Sequence, residues 1–231
     1  MDSVNLSPRL AAVASFVPKG ARLADIGSDH AYLPAHLLLK SHINFAVVGE
    51  VAKGPLENAR QELKRQRLLA ATALRLADGL AAVTDDDHVD TVTVAGMGGI
   101  LIRDILAAAK QRGQNFTTLI LQPNTDEQVV REWLVQHGYQ ITHERIVQED
   151  KHFYEIIVAK PGNQTLSAQD LVFGPFLRDE QSPAFKAKWQ KEVDRISLIF
   201  ERLTAAGKAD TPAYQQWQAR FQEAVGPKQL V

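Results

Sequence analysis

The sequence predicts an α/β protein built on a Rossmann-like sheet, mostly parallel with its last strand antiparallel, followed by a C-terminal helical hairpin packed as a coiled coil. Three observations predict it. Up to Gly138, short apolar runs rich in Val, Leu and Ile alternate with segments of helical length, as right-handed βαβ crossovers require. From Tyr139, "YQITHERIVQEDKHFYEIIVAKPG" gives two β-like runs with only "QEDK" between them, and a pair joined that tightly must be antiparallel. Past "KPGNQ", Trp189, Val193, Ile196, Phe200 and Leu203 recur at steps of four and three, and Tyr214, Trp217 and Phe221 repeat the rhythm after "AAGKADTP".

Each element follows from local signals. Leu6 to Phe16 carries helical spacing and stops before Pro18 and Gly20. "RLADIG" is a strand, Tyr32 to Lys40 a helix, and "FAVVGEV" a second strand. "GPLENARQELKRQRL" is a helix with Pro55 near its first turn and Leu56, Ala59 and Leu63 on one stripe. "ALRLADG" is a third strand ending at Asp78, "VDTVTVAGMGG" a fourth, and "LIRDILAAAKQRG" the helix behind it. "TTLILQPN" is the fifth strand, and "DEQVVREWLVQHG" a helix closed by Gly138. The expected domains are residues 1–162 and 163–231.

Composition narrows the function. With 45% hydrophobic and 23% charged residues the chain is globular, and the formal net charge of -1 gives no global signal for nucleic acid. RNA contact would need a local basic face. The absence of cysteine excludes disulfides, zinc-thiolate sites and thiol catalysis. No metal is expected. No stretch reads as a signal peptide or membrane span, and a cytoplasmic address is expected.

In an open parallel sheet the ligand sits beyond the carboxyl ends of the strands. The first strand ends in Asp25, Ile26, Gly27, Ser28, Asp29 and His30. Gly27 permits a sharp turn, but Asp29 and Tyr32 stand where a dinucleotide site needs further glycines, and Asp29 would repel a pyrophosphate. A ligand bearing an ammonium would instead be attracted by Asp25 or Asp29. Glu50, followed by Val51, ends the second strand at a suitable distance to accept from both ribose hydroxyls. Asp78 and Gly79 can read an adenine edge, and Ala95, Gly96 and Met97 in "AGMGG" let a reactive centre lie against the main chain. A nucleoside with a cationic amino-acid tail, S-adenosylmethionine, meets all of these demands and fits "DIGSDH" better than NAD does. His30 reads equally as a helix-start residue and Met97 as packing. Asn124 of "QPN" either orients a base together with Gln122 or caps the following helix.

Together "LSPRL", "ADIGSDHAYLP", "GEVAKGPLENA", "ADGL", "AGMGG", "QPN" and "HFYEII" resemble the bacterial tRNA (adenine-22) N1-methyltransferases over residues 1 to 160. Those enzymes have the class I methyltransferase fold and a C-terminal coiled coil. The resemblance implies methyl transfer from S-adenosylmethionine to N1 of an adenosine in the tRNA D-loop. It places Asp25, Gly27 and Asp29 at the methionine end, Glu50 at the ribose, Asp78 and Gly79 at the adenine, Ala95 and Gly96 beneath the sulfonium, and Arg9 at the active-site mouth. Asp29, Gln122 or Asn124 would then stabilise the charge that develops on the ring.

Tyr154 or Phe153 offers a stacking surface for the target, or packs in the core. Arg60, Lys64 and Arg67 share a helix face, while Lys188, Arg195 and Arg202 recur at seven-residue steps with Lys191 adjacent. Such stripes are either solvated faces or, given a tRNA substrate, phosphate contacts. A monomer is expected. Three other readings stay open: a methyltransferase acting on a small molecule or protein, a non-catalytic RNA- or partner-binding module, and, last, an NAD-dependent oxidoreductase.

Overall fold

The computed structural model describes residues 2–209 and 211–225, so the last six residues of the expected helical domain lie outside the described residues. Seven strands form one sheet in the order β3-β2-β1-β4-β5-β7-β6. They are β1 (Arg22–Ile26), β2 (Phe45–Glu50), β3 (Thr72–Leu76), β4 (Thr91–Gly98), β5 (Thr118–Thr125), β6 (Tyr139–Glu149) and β7 (His152–Pro161). The first five pair in parallel, and β7 runs antiparallel to both β5 and β6. The hairpin inserts because two residues, Asp150 and Lys151, separate β6 from β7 and leave no length for a crossover.

Helices cover both faces: α1 (Pro8–Phe16), α2 (Tyr32–Leu39), α3 (Lys53–Arg65), α4 (Gly99–Gln111) and α5 (Glu127–Gln136). Alternate residues of the strands divide between two cores. Ala24, Ile26, Val92, Val94, Leu119, Leu121 and Ile157 pack with α4 and α5, whereas Leu23, Ala46, Ile120, Ile156 and Val158 pack with α1 and α2. The helices behind β1 and β4 thus lie on opposite faces, and the cleft between those two strand ends is where a ligand fits in such a sheet.

Three boundaries differ from expectation in ways that matter for the site. α3 stops at Arg65, and Arg67 adopts a left-handed φ of 61° in the turn beyond it. There the Leu68 N–H donates to Leu63 O at 2.8 Å and the Arg67 N–H to Lys64 O at 3.1 Å, a helix-closing pair that normally uses glycine. Arg67 therefore leaves the helix face it was expected to share with Arg60 and Lys64. β3 ends at Leu76, so Asp78 and Gly79 lie in the turn after it, and α1 begins at Pro8 behind a Ser7 cap.

A buried ionic cluster, absent from the sequence reading, ties α5 to the hairpin. Arg131, fully buried, donates from Nε to Glu144 Oε1 at 2.8 Å and from Nη2 to Glu155 Oε2 at 2.5 Å. The two carboxylates hold the guanidinium charged against the opposing effect of its burial.

The chain divides into two compact units, Met1–Leu166 and Ser167–Val231. The second comprises α6 (Ala168–Phe173), α7 (Pro175–Glu180), α8 (Pro183–Ala205) and α9 (Pro212–Val225). Val193 and Ile196 are buried with Trp189, Phe200, Trp217 and Phe221 packed on them, so the alternating repeat forms an α8–α9 seam. Trp189 also meets the edge of Phe173, ring centroids 4.5 Å apart. Among the described residues no helix is long and apolar enough to cross a membrane, and no group of acidic residues and histidines suits a metal ion.

Candidate active site

The turn from β1 into α2 has one glycine but three left-handed residues: Gly27 (φ 71°), Asp29 (φ 55°) and Ala31 (φ 53°). Such conformations cost energy for Asp and Ala and persist only when neighbours enforce them. Asp25 is one enforcer. It is buried, and it accepts hydrogen bonds from Ser28 Oγ and, at 2.6 Å, from Thr93 Oγ1. Burial raises its pKa, and these two bonds pull it back. The Glu50 carboxylate is the other, with its Oε1 accepting from the Asp29 N–H.

Asp25, expected to hold a ligand's ammonium, thus has one oxygen engaged by Ser28 of the turn and the other by Thr93 of β4, as a buried carboxylate requires. The exposed acid of the turn is Asp29. Among the described residues its carboxylate meets only His30 Nε2, at 3.7 Å. His30 stacks on Tyr32 with ring centroids 5.1 Å apart. Met97 is a packing residue: a Cβ on Gly27 would fall 2.0 Å from its Cε, so the Met97 methyl fills the space that Gly27 leaves.

At the end of β2, burial raises the pKa of Glu50; the Asp29 N–H opposes this, and the charges of Asp25 and Asp29 add to it. Its Oε2 has no partner among the described residues. Val51 beside it is 73% exposed. Asp78 is exposed, its carboxylate unpaired among the described residues, and Gly79 takes a φ of 51° against Ile105, whose side chain would lie 3.1 Å from an added Cβ. The acidic side chains thus gather at the carboxyl ends of three neighbouring strands, Asp29 after β1, Glu50 at the end of β2 and Asp78 after β3, each with an oxygen without a partner among the described residues.

The ends of β4 and β5 are joined by one amide. Gln122, fully buried, accepts on Oε1 from Arg9 Nη1 at 2.6 Å and from the Gly96 N–H at 3.0 Å. Its Nε2 donates to Pro123 O at 2.9 Å and to Asn124 Oδ1 at 3.0 Å. Every hydrogen-bonding position of that amide is filled. Asn124 Nδ2 in turn donates to Gly96 O at 2.8 Å, so Gly96 is held at both its N–H and its carbonyl.

Asn124 lies within β5 and does not cap α5, whose cap position is Asp126. It is exposed and keeps one Nδ2 hydrogen and one Oδ1 lone pair. Gln122, expected to contact a substrate, has its amide occupied by Arg9, Gly96, Pro123 and Asn124.

Arg9 reaches this network from α1. Its N–H donates to Glu149 Oε2 at 2.9 Å at the end of β6, and its guanidinium lies over the half-buried Tyr154 ring, 5.3 Å from the centroid. Sequence reasoning missed Glu149 and Thr93, whose contacts with Arg9 and Asp25 join residues distant in sequence, and the stack of Tyr32 on His30. A cleft of about 230 Å³ results, lined by Arg9, Leu10, Asp25, Gly27, Ser28, Asp29, His30, Tyr32, Leu33, Ala95 and Gly96. Glu50 borders it through its bond to Asp29, and Asp78 and Gly79 lie farther along the strand ends.

The basic residues are dispersed. Arg60 pairs with Glu57 at 3.5 Å, and Arg65 with the buried Glu62. Lys64 and Arg67 are exposed, the latter in the turn after α3. In the helical unit Arg195 forks onto Glu192 and lies over the Trp217 ring at 5.0 Å, while Lys188 stands over Trp189 at 5.5 Å.

The cleft's chemistry suits a ligand with an ammonium, a diol and an adenine, and relatives carry such ligands. The family profile described as TrmK, tRNA (adenine(22)-N(1))-methyltransferase, matches residues 23–225. A Bacillus subtilis tRNA (adenine(22)-N(1))-methyltransferase is 39% identical over 223 residues, which are 94% of this chain and 92% of that protein. A crystal structure of a Streptococcus pneumoniae candidate tRNA (m1A22) methyltransferase in complex with S-adenosyl-L-methionine is 42% identical, with TM-score 0.88 over 96% of this chain and 99% of that one. A structure of M. capricolum TrmK in complex with S-adenosyl-homocysteine is 26% identical, with TM-score 0.83 over 95% of this chain and 96% of that one. The fold, the cleft and these likenesses agree: this chain belongs to the tRNA (adenine(22)-N(1))-methyltransferase family.

Proposed function

We propose that this protein transfers the methyl group of S-adenosylmethionine to N1 of adenine 22 in the D-loop of tRNA. The observation that supports the reading is the row of Asp29, Glu50 and Asp78, each with a carboxylate oxygen left over among the described residues, at the carboxyl ends of β1, β2 and β3, where an open parallel sheet takes its ligand. Bound there, S-adenosylmethionine supplies an electrophilic methyl on a sulfonium. Asp29 would accept from the ammonium, Glu50 Oε2 from the ribose hydroxyls, and Asp78 from the adenine amine, with Val51 and Gly79 available to the ring and His30 and Ser28 to the methionine end.

Ala95 and the doubly held Gly96 fix the main chain beside the reacting centre. Asn124 orients the target base through its remaining lone pair and hydrogen, and Gln122 and Arg9 keep Asn124 in place. N1 of adenine already carries a lone pair, so no base is needed before attack. Alignment supplies most of what the reaction requires, worth several kcal/mol, roughly 7–11 in well-oriented systems. As the N1–carbon bond forms and the carbon–sulfur bond breaks, the positive charge moves to the ring, where Asp29 and Asn124 Oδ1 stabilise it.

N1 lies on the Watson–Crick edge, so the adenine must leave its stack, and Tyr154 offers an aromatic surface for it. Lys64, Arg67 and Lys188 serve as phosphate contacts, with Arg60 and Arg195 doing so only after leaving their acidic partners. Two transcripts of one tRNA, with A or G at position 22, test the substrate. Incorporation of label from S-adenosylmethionine into the A22 form alone supports the reading, and equal or no incorporation overturns it.

A further inference from the structure

Among the described residues, Ile100 and Leu101 are the one sequence-adjacent pair of large apolar side chains that are both exposed, at 48% and 50%. They sit in the first turn of α4, whose inward face is formed by Gly99, Ile102, Ile105, Leu106 and Ala109. Neither residue serves the core. A first helical turn favours polar and acidic side chains, so two aliphatic ones facing solvent there have no rationale within the fold.

Their placement ties them to the reaction. Gly99 packs so closely on the end of β5 that an added Cβ would lie 2.3 Å from Asp126 O, which pins the start of α4. Gly96, four residues before Ile100, lines the cleft and accepts from Asn124. An extended chain of that length spans at most about 14 Å. The acceptor nitrogen must come within about 3.5 Å of the methyl, which leaves this turn within reach of the target nucleotide's stacking neighbours. An adenine that leaves its stack exposes the apolar faces of the bases it separated, and aliphatic side chains inserted into base steps fill such gaps.

Resting on the function given above, we propose that Ile100 and Leu101 form an apolar wedge that occupies the gap left by the target adenine and holds the tRNA strand open. The test uses the full chain and a tRNA transcript carrying 2-aminopurine on the 3′ side of the target. Comparison is made with Ile100→Ser combined with Leu101→Ser, and with Ile100→Leu combined with Leu101→Ile. The serine variant is expected to lose at least about tenfold in kcat/KM for tRNA and to change the 2-aminopurine fluorescence that the wild type gives, with S-adenosylmethionine affinity by calorimetry unchanged. The aliphatic swap is expected to recover to within about threefold.

A serine variant within about twofold of wild type, with the same fluorescence, overturns the wedge. So does one that loses cofactor binding, because the residues would then serve the fold or the cofactor site. A wild type that methylates no RNA overturns the function itself and this inference with it, whereas an active wild type matched by the serine variant overturns the inference alone.

Discussion

Gln122→Glu changes one atom pair in the hub of the site and leaves its shape intact. The carboxylate keeps the contacts to Arg9 Nη1 and the Gly96 N–H, at 2.6 and 3.0 Å in the native protein. It loses both donors, so acceptor now faces acceptor where Nε2 met Pro123 O at 2.9 Å and Asn124 Oδ1 at 3.0 Å. Two net hydrogen bonds at about 1 kcal/mol each, plus the cost of a buried charge only partly offset by Arg9, make a loss of about 2–3 kcal/mol. For a chain of this size that lowers Tm by about 4–12 °C in calorimetry.

Asn124 can relieve the clash by turning its amide, but it then points oxygen at Gly96 O and loses the 2.8 Å bond there. The target base is misaligned in either arrangement, and kcat for tRNA methylation is expected to fall about 10- to 100-fold, with S-adenosylmethionine affinity nearly unchanged. An unchanged Tm together with kcat within about twofold of wild type would refute the idea that this amide sets the site.

Glu50→Gln removes the ionised ribose acceptor and is expected to weaken S-adenosylmethionine about 10- to 100-fold by calorimetry. Because burial raises the pKa of Glu50, its charged form is lost as pH falls through that raised value, so wild-type cofactor affinity should drop on mild acidification and the variant's should not. The Asp87 carboxyl is held down at a pKa of about 2, first by its bonds to Arg75, against the cost of burial. A lowered folded pKa stabilises above the unfolded value and is lost as pH falls through the folded one, so Asp87→Asn should cost about 2 kcal/mol at neutral pH in urea titrations. The deficit should shrink as pH approaches about 2, and a pH-independent deficit contradicts the pairing. Arg131→Met leaves Glu144 and Glu155 buried without their cation and should cost about 3–5 kcal/mol, read from denaturation midpoints; a neutral result would mean the acids simply take up protons.

The order of strands and helices was legible because each rests on local periodicity, and the antiparallel hairpin because the joining "QEDK" allows nothing else. The acids at the strand ends were legible too, since a parallel sheet brings the ends of β1, β2 and β3 together. What each acid does was not. Asp25 and Asp29 look alike in "DIGSDH", yet one is buried against Thr93 of β4 and the other is exposed, a difference set by strand pairing between residues far apart in sequence.

The left-handed conformations of Asp29, Ala31 and Arg67 were hidden because glycine is the usual sign of that geometry and none of the three is glycine. Gln122 was visible as a polar residue in "QPN", but the four partners that occupy its amide were not. The Arg131 cluster was illegible because charged residues on a helix and two strands ordinarily face water.

The measurement that tests the central claim most directly is to incubate the protein with labelled S-adenosylmethionine and unmodified tRNA, digest the RNA with nucleases, and identify the labelled nucleoside and its position by mass spectrometry, with Asp78→Ala as control. The account predicts 1-methyladenosine at position 22 of the D-loop, lost or strongly reduced in the variant. Label at another position or in another nucleoside, or none in RNA while calorimetry shows the cofactor bound, would contradict it.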